Sequence, residues 1–215
     1  MPVHPHRHDG AVELTDVVRR HRMVRNYSPD PVDPAVVERI LSNALHAPSA
    51  GFSQGWAFLV LDTPADVARY WTVTAGDRLE EPDSWLRGMV RAPVVIVPMS
   101  SEAAYRRRYD EPDKRRGAPG SEGAEQSWPV PYWHMDTAMA TMLMLLTVTD
   151  EGLGACYFGI PENRYDAFRA EFGVPEELTP IGAVAVGHRA ASTGDRGSVS
   201  RGRRPVEEVV HRGHW

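Results

Sequence analysis

The chain has 215 residues, 42% of them hydrophobic and 25% charged, with a single cysteine, Cys156, and a formal charge of −5. That length suits one large domain or two small ones, a lone thiol excludes an internal disulfide framework, and the mildly acidic balance speaks against a general nucleic-acid footprint. The opening MPVHPHRHDG lacks the apolar stretch of a signal peptide, and the longest apolar run lies around Met139 to Val148. That run falls well short of the ~20 residues of a membrane span. The expectation is a cytoplasmic protein without membrane or nucleic-acid partners, disordered over residues 1–12 and forming a single domain over residues 13–215.

In chain order, Glu13 to Arg22 carries Leu14, Val17 and Val18 three and four apart, which predicts an amphipathic helix capped by Thr15 or Asp16. Prolines 29 and 31 end it, and a second helix is predicted from Pro34, after Asp33, to about His46. Ala57 to Leu61 and Ala92 to Met99 read as buried strands, with helices at Pro64 to Thr74 and Ser84 to Val90 between them. Residues 101–131, rich in charge, Gly and Pro, read as a long loop or lid insertion. Tyr132 to Asp150 is the most apolar helix, buried as a core helix or against a partner subunit, and Gly152 suits its C-terminal cap. A turn and strand at 152–159, a helix from Glu162 to Phe172 closed by Gly173, a strand from Ile181 to Gly187 and an Arg-rich tail complete the chain. The economical fold class is α+β.

Four segments carry candidate chemistry. His21 to Tyr27 is a cationic stretch where helix gives way to extended chain, and such clusters grip phosphate by charge-assisted hydrogen bonds. Ala47 to Trp56 offers small residues for a flat ligand and Ser and Gln for directional contacts. Gly152 to Gly159 lacks the spacing of a P-loop or dinucleotide fingerprint, and Arg201 to Pro205 is basic. Taken singly, each also reads as solvated surface or ordinary connection. No HExxH, paired CxxC or GxSxG motif occurs, so neither a metal site nor a serine nucleophile is expected, and Cys156 among apolar neighbours reads as packing.

Together, in this order, the four segments resemble the nitroreductase-like flavoprotein family from about Glu13 to Trp215. The resemblance implies a central, mostly antiparallel sheet flanked by helices, in an intertwined homodimer that binds FMN noncovalently at its interface. It implies that Arg22, with Arg201 and Arg203, holds the FMN phosphate, and that Arg25 stabilises negative charge at the flavin N1/O2 edge. Pro48, Ser49, Ala50, Ser53 and Gln54 would line the ring and ribityl chain, and the backbone of Phe158 and Gly159 would face N5. His21 stands in place of the first Arg of the family pair, Met23 replaces a frequent Ser, and Phe52 occupies a frequent Asn position. The branch that fragments FMN to dimethylbenzimidazole has Asp at the Met23 position and Ser at the Gly159 position, so that activity is not expected. Tyr109, Trp128 and Trp133, with the arginines at 106–108, in and beside the lid suit a planar or anionic small-molecule substrate, or simply cover the dimer. The implied activity is hydride transfer from NADH or NADPH through FMN to a nitroaromatic, quinone or other conjugated acceptor. A flavin-dependent dehydrogenase of a specialised metabolite and a non-catalytic flavin-binding protein are the alternatives.

Overall fold

The computed structural model describes residues 13–115, 128–191 and 202–215; the expectations for residues 1–12 and for Arg201 lie outside them. Five strands, β1 (Trp56–Leu61), β2 (Val94–Ser100), β3 (Gly154–Phe158), β4 (Thr179–Pro180) and β5 (Ala183–Gly187), form one antiparallel sheet. The order across it is β1, β2, β5, β3, with β4 beside the end of β2. Trp56 faces Ser100, Val94 faces Val186, and Gly154 faces Gly187. The helices are α1 (Leu14–Arg20), α2 (Pro34–Ala44), α3 (Pro64–Ala75), α4 (Ser84–Met89), α5 (Glu102–Tyr109), α6 (Pro112–Arg115), α7 (Tyr132–Asp150) and α8 (Tyr165–Phe172).

Side chains alternate across a strand. Val94 and Ile96 of β2, with Val184 and Val186 of β5, therefore pack on one face with Ile40 of α2 and Met144 of α7. Val95, Val97 and Met99, with Ala183 and Ala185, meet Trp71 of α3, Leu86 of α4 and Phe168 of α8 on the other. With helices on both faces, β2 is buried along its whole length, which is why it reads as an unbroken apolar run. Each such Val or Ile contributes ~1.5–3 kcal/mol by leaving water.

Local chemistry sets the ends of the helices. Asp33 accepts from Ala35 N at 2.8 Å and caps α2 behind Pro34. Helix α1 starts after Glu13 without a side-chain cap, so neither expected cap serves; Asp16 sits inside the first turn, where its charge suits the helix dipole. Helix α7 has its predicted bounds, yet Met135, Met139 and Met142 form an uncovered stripe, 48, 39 and 41% exposed. That stripe fits the partner-facing alternative.

Residues 101–131 depart from the expectation of a loop, because they begin with α5 and α6. Ser101 caps α5 through Ala104 N at 3.0 Å, Glu102 pairs with Arg106 one turn on, and Tyr105 is buried. A cap and an i,i+4 pair stabilise a helix that shows almost no apolar pattern. Residues 202–215 are exposed throughout, leaving Val206, Val209, Val210 and Trp215 uncovered.

Candidate functional site

Residues 21–27 run along the free edge of β3. Met23 bridges Ala155 in parallel, Val24 N donates to Ala155 O at 2.8 Å, and Tyr157 N donates to Met23 Sδ at 3.4 Å. The buried Tyr27 hydroxyl donates to Val24 O at 2.7 Å and closes the segment on itself. Helix α4 also presses on it: a Cβ on Gly88 would lie 2.1 Å from Arg25 O, so only glycine permits that approach.

These contacts fix the Arg22, Arg25 and His21 side chains differently. Arg22 Nη1 donates to Arg19 O and His21 O at 2.6 and 2.7 Å, across the carbonyl end of α1, while Arg25 Nη1 reaches Met23 O at 3.4 Å. Among the described residues neither Arg22, Arg25 nor Arg203 pairs with a carboxylate, whereas Arg39, Arg69 and Arg108 each do. His21 Nδ1 lies 3.0 Å from Thr149 Oγ1, and the Thr149 hydroxyl already donates to Leu145 O. The imidazole therefore donates from Nδ1. Burial, and then the Arg22 charge, lower its pKa, so His21 is neutral at pH 7.

The Ala47 to Trp56 segment enters β1 at the opposite sheet edge. Ala50 N donates to Asp136 Oδ2 at 3.0 Å, Ser53 Oγ lies 3.5 Å from the same oxygen, and Gln54 N donates to Ser49 Oγ at 3.0 Å. Arg108 Nε donates to Gly51 O at 2.8 Å while its guanidinium pairs with Glu111 and Asp113. Pro48 is exposed at the loop entrance. Three residues here have left-handed backbone: Gly51 at φ 62°, Phe52 at 58° and Gln54 at 47°. Asp136 is buried, which raises its carboxyl pKa, and the Ala50 and Ser53 donors act the other way. The sequence reading missed it, although it is the one charge inside an otherwise uncharged helix before Asp150.

At the exit of β3, the Phe158 ring stacks on Trp71 at 5.5 Å and meets Trp85 edge-on at 5.6 Å. Its side chain is thus an anchor, and only its backbone is offered outward. A Cβ added to Gly159 would meet nothing within 4 Å, so the chain there is open to a ligand. Tyr109, Trp128 and Trp133 gather around buried Tyr105, with centroids 4.9, 5.1 and 5.8 Å from its ring. Arg106 lies over Trp128 and Lys114 over Tyr109.

The structure brings the first and third segments together on β3, and the second against α5 and α7, but it holds these two groups apart. From residues 23–24 across β3, β5 and β2 to β1 is four strand spacings, about 19 Å. The helical path from Asp136 to Thr149 is about 20 Å. Within one chain, residues 23–25 and the Ser49 loop therefore stand at opposite edges of the sheet. Clefts of about 610 and 410 Å³ lie elsewhere, the first against Pro31, Pro64, Trp71 and Pro93, the second against His134 and Glu177 with Trp133 of the predicted residues.

Comparison with known proteins adds an independent finding. The chain matches the model of the nitroreductase family over residues 18–188. It is 24% identical over 193 residues to a protein of Methanothermobacter thermautotrophicus described as an NADH dehydrogenase/NAD(P)H nitroreductase, covering 87% of this chain and 85% of that one. A shorter stretch of 52 residues is 42% identical to the 5,6-dimethylbenzimidazole synthase of Rhodobacter capsulatus, 24% of this chain and 25% of that one. In fold it is similar to a nitroreductase of Exiguobacterium sibiricum solved in complex with FMN, with a TM-score of 0.69 at 20% identity over 94% of this chain and 97% of the other.

Proposed function

The chain belongs to the nitroreductase family, and from that premise we propose that it is an FMN-dependent oxidoreductase that passes two electrons from NADH or NADPH to a nitroaromatic, quinone or other conjugated acceptor. The observation that carries this reading is the pair Arg22 and Arg25, fixed along β3 and left without carboxylate partners among the described residues. Unneutralised guanidinium groups suit a phosphate dianion and the anionic edge of a reduced flavin. Arg203 is exposed and unpaired in the same sense.

Bound FMN supplies a ring whose N5 accepts and returns hydride. The protein then has to bind, orient and exclude. Arg22 and Arg203 hold the phosphate; neutral His21 adds a hydrogen-bonding imidazole rather than charge. Arg25 stabilises negative charge at the N1/O2 edge. Ser49, Ala50, Ser53 and Gln54 line the ring and ribityl chain from a loop that Asp136 fixes in place, and the open backbone after Phe158 leaves room beside N5. No side chain has to act as acid or base for the hydride itself. FMN fragmentation is not proposed: position 23 is a thioether already engaged by Tyr157 N, and position 159 has no hydroxyl.

The separation of the two segment groups makes the proposed site composite. Arg22 and Arg25 of one protomer meet the Ser49 to Gln54 loop of its partner. The Met135, Met139 and Met142 stripe, the exposed Leu14 and Val18 of α1 and the uncovered tail supply apolar surface for such a homodimer. An absorption spectrum taken before and after anaerobic addition of each nicotinamide tests the function. A yellow protein bleached by NADH or NADPH is expected. A folded yellow protein left oxidised by both defeats the reductase, and a preparation still colourless after excess FMN defeats the flavin site.

A further inference from the structure

We propose that Asp136 is a positioning residue for the flavin, acting through its charge on the loop half of the site, so that a proton on its carboxyl weakens flavin binding; the inference rests on the flavin reading above. Asp136 lies near the start of α7 and is only 4% exposed. Among the described residues no cation pairs with it, whereas Arg108, beside the same loop, is neutralised by Glu111 and Asp113. A carboxylate withdrawn from water without a counter-charge is costly for the fold, and such groups gather at functional sites.

What this carboxylate holds is the loop. Oδ2 accepts from Ala50 N at 3.0 Å, and Ser53 Oγ lies 3.5 Å from the same oxygen. The two contacts bracket Gly51 and Phe52, at φ 62° and 58°, and Gln54 beyond them stands at 47°. Residues other than glycine keep left-handed backbone only when their surroundings impose it. Two further anchors, Arg108 Nε on Gly51 O and Ser49 Oγ on Gln54 N, do not titrate near neutral pH. Asp136 titrates closer to neutrality than an ordinary carboxyl, since burial raises its pKa against the opposing Ala50 and Ser53 donors. Ionised, it accepts charge-assisted hydrogen bonds from the loop. Protonated, it keeps only a neutral acceptor oxygen and carries a proton that needs an acceptor of its own. The loop is then held more weakly in the shape offered to the ring. Other ionisable neighbours are Tyr105, Tyr109 and the paired Arg108 from α5, and Tyr132 and His134 from α7 itself; the loop, β1 and β2 carry none. His134 Nδ1 is turned to Ser100 Oγ, and its ring feels Glu102.

Titration of apoprotein with FMN between pH 8 and 5 tests the proposal. Wild type is compared with Asp136→Asn, which keeps an acceptor for Ala50 N and has no charge at any pH. The FMN phosphate, His21 and His134 titrate in both proteins and cancel in the ratio of their dissociation constants. That ratio, variant over wild type, is expected to be about tenfold at pH 8 and to approach one as the pH falls and the wild-type carboxyl takes up its proton. A ratio that stays constant, at one or at any other value, overturns the proposal, because a merely structural contact does not follow this proton. If Asp136→Asn fails to fold by circular dichroism, riboflavin, which has no phosphate, decides the matter on His134→Asn protein, in which that imidazole is gone. Weaker riboflavin binding at pH 5 than at pH 8 is expected there, and equal affinity overturns the proposal. A wild type that binds no FMN at pH 8 removes the flavin reading, and this inference with it, before any variant is made.

Discussion

Arg22 and Arg25 lie three residues apart, yet the proposed site asks different things of them. Each charge-assisted hydrogen bond to phosphate stabilises by ~1.5–3 kcal/mol, so Arg22→Ala is expected to weaken FMN binding by roughly 10–100-fold, read from quenching of flavin fluorescence on titrating apoprotein. Arg25→Gln should leave affinity less changed and lower the flavin reduction potential, because a positive charge beside the reduced ring stabilises its anion. Equilibration with a dye of known potential reads that shift; a raised potential contradicts the role given to Arg25. At His134, on the first turn of α7, Nδ1 lies 2.7 Å from the fully buried Ser100 Oγ, and burial lowers the imidazole pKa against an opposing pull from Glu102. Below 6.5 the unfolded chain takes up that proton more readily than the folded one, so this group contributes stability at neutral pH that is lost as pH falls through the window below 6.5. His134→Asn, which keeps a donor near Ser100, should flatten the fall in melting temperature between pH 7.5 and 5.5; an equal fall rejects the assignment. The basic and small-residue segments stand out in the sequence at this scale by composition and by their order along the chain. Asp136 does not, since the burial and the loop contact that give it meaning come from residues more than eighty positions away.

Among the elements, α7 was readable to the residue because twelve of its nineteen positions are apolar and they are spread around the helix. What its sequence leaves ambiguous is which side stays uncovered, since an apolar circumference does not mark its own interface. The structure supplies the answer as the Met135, Met139 and Met142 stripe. Met139→Glu places a charge in the middle of that stripe, at a position already open in one chain. The variant is expected to keep its helical circular dichroism, to sediment as monomer at micromolar concentration and to lose bound flavin. A dimeric Met139→Glu protein would move the interface off α7. Helix α5 escaped the sequence reading for the converse reason: three consecutive arginines and only one buried residue give it no periodic signal, and it is held by Ser101, by the Glu102 pair and by the seating of Tyr105. Tertiary seating and capping, rather than pattern, decide such an element.

At the scale of the whole molecule, the sheet places its two candidate segments on opposite edges, about 19 Å apart across the strands. Sequence order cannot show this, because 21–27 and 47–56 are near neighbours along the chain; the separation appears only once β2 and β5 intervene between β1 and β3. A composite site has a consequence that a single-chain site does not share. One variant, Arg22→Ala with Arg25→Ala, loses the cationic half, and another, Ser53→Trp, blocks the loop half, so each homodimer should be free of flavin. In a mixed dimer, the first variant's intact loop faces the second variant's intact arginines, restoring one site, while the other site is doubly defective. Unfolding and refolding the two variants together with FMN should therefore recover about a quarter of the wild-type flavin content if pairing is random. A single-chain site recovers none, since every chain then carries a broken copy, and that result would require both segments to be moved onto one protomer's face.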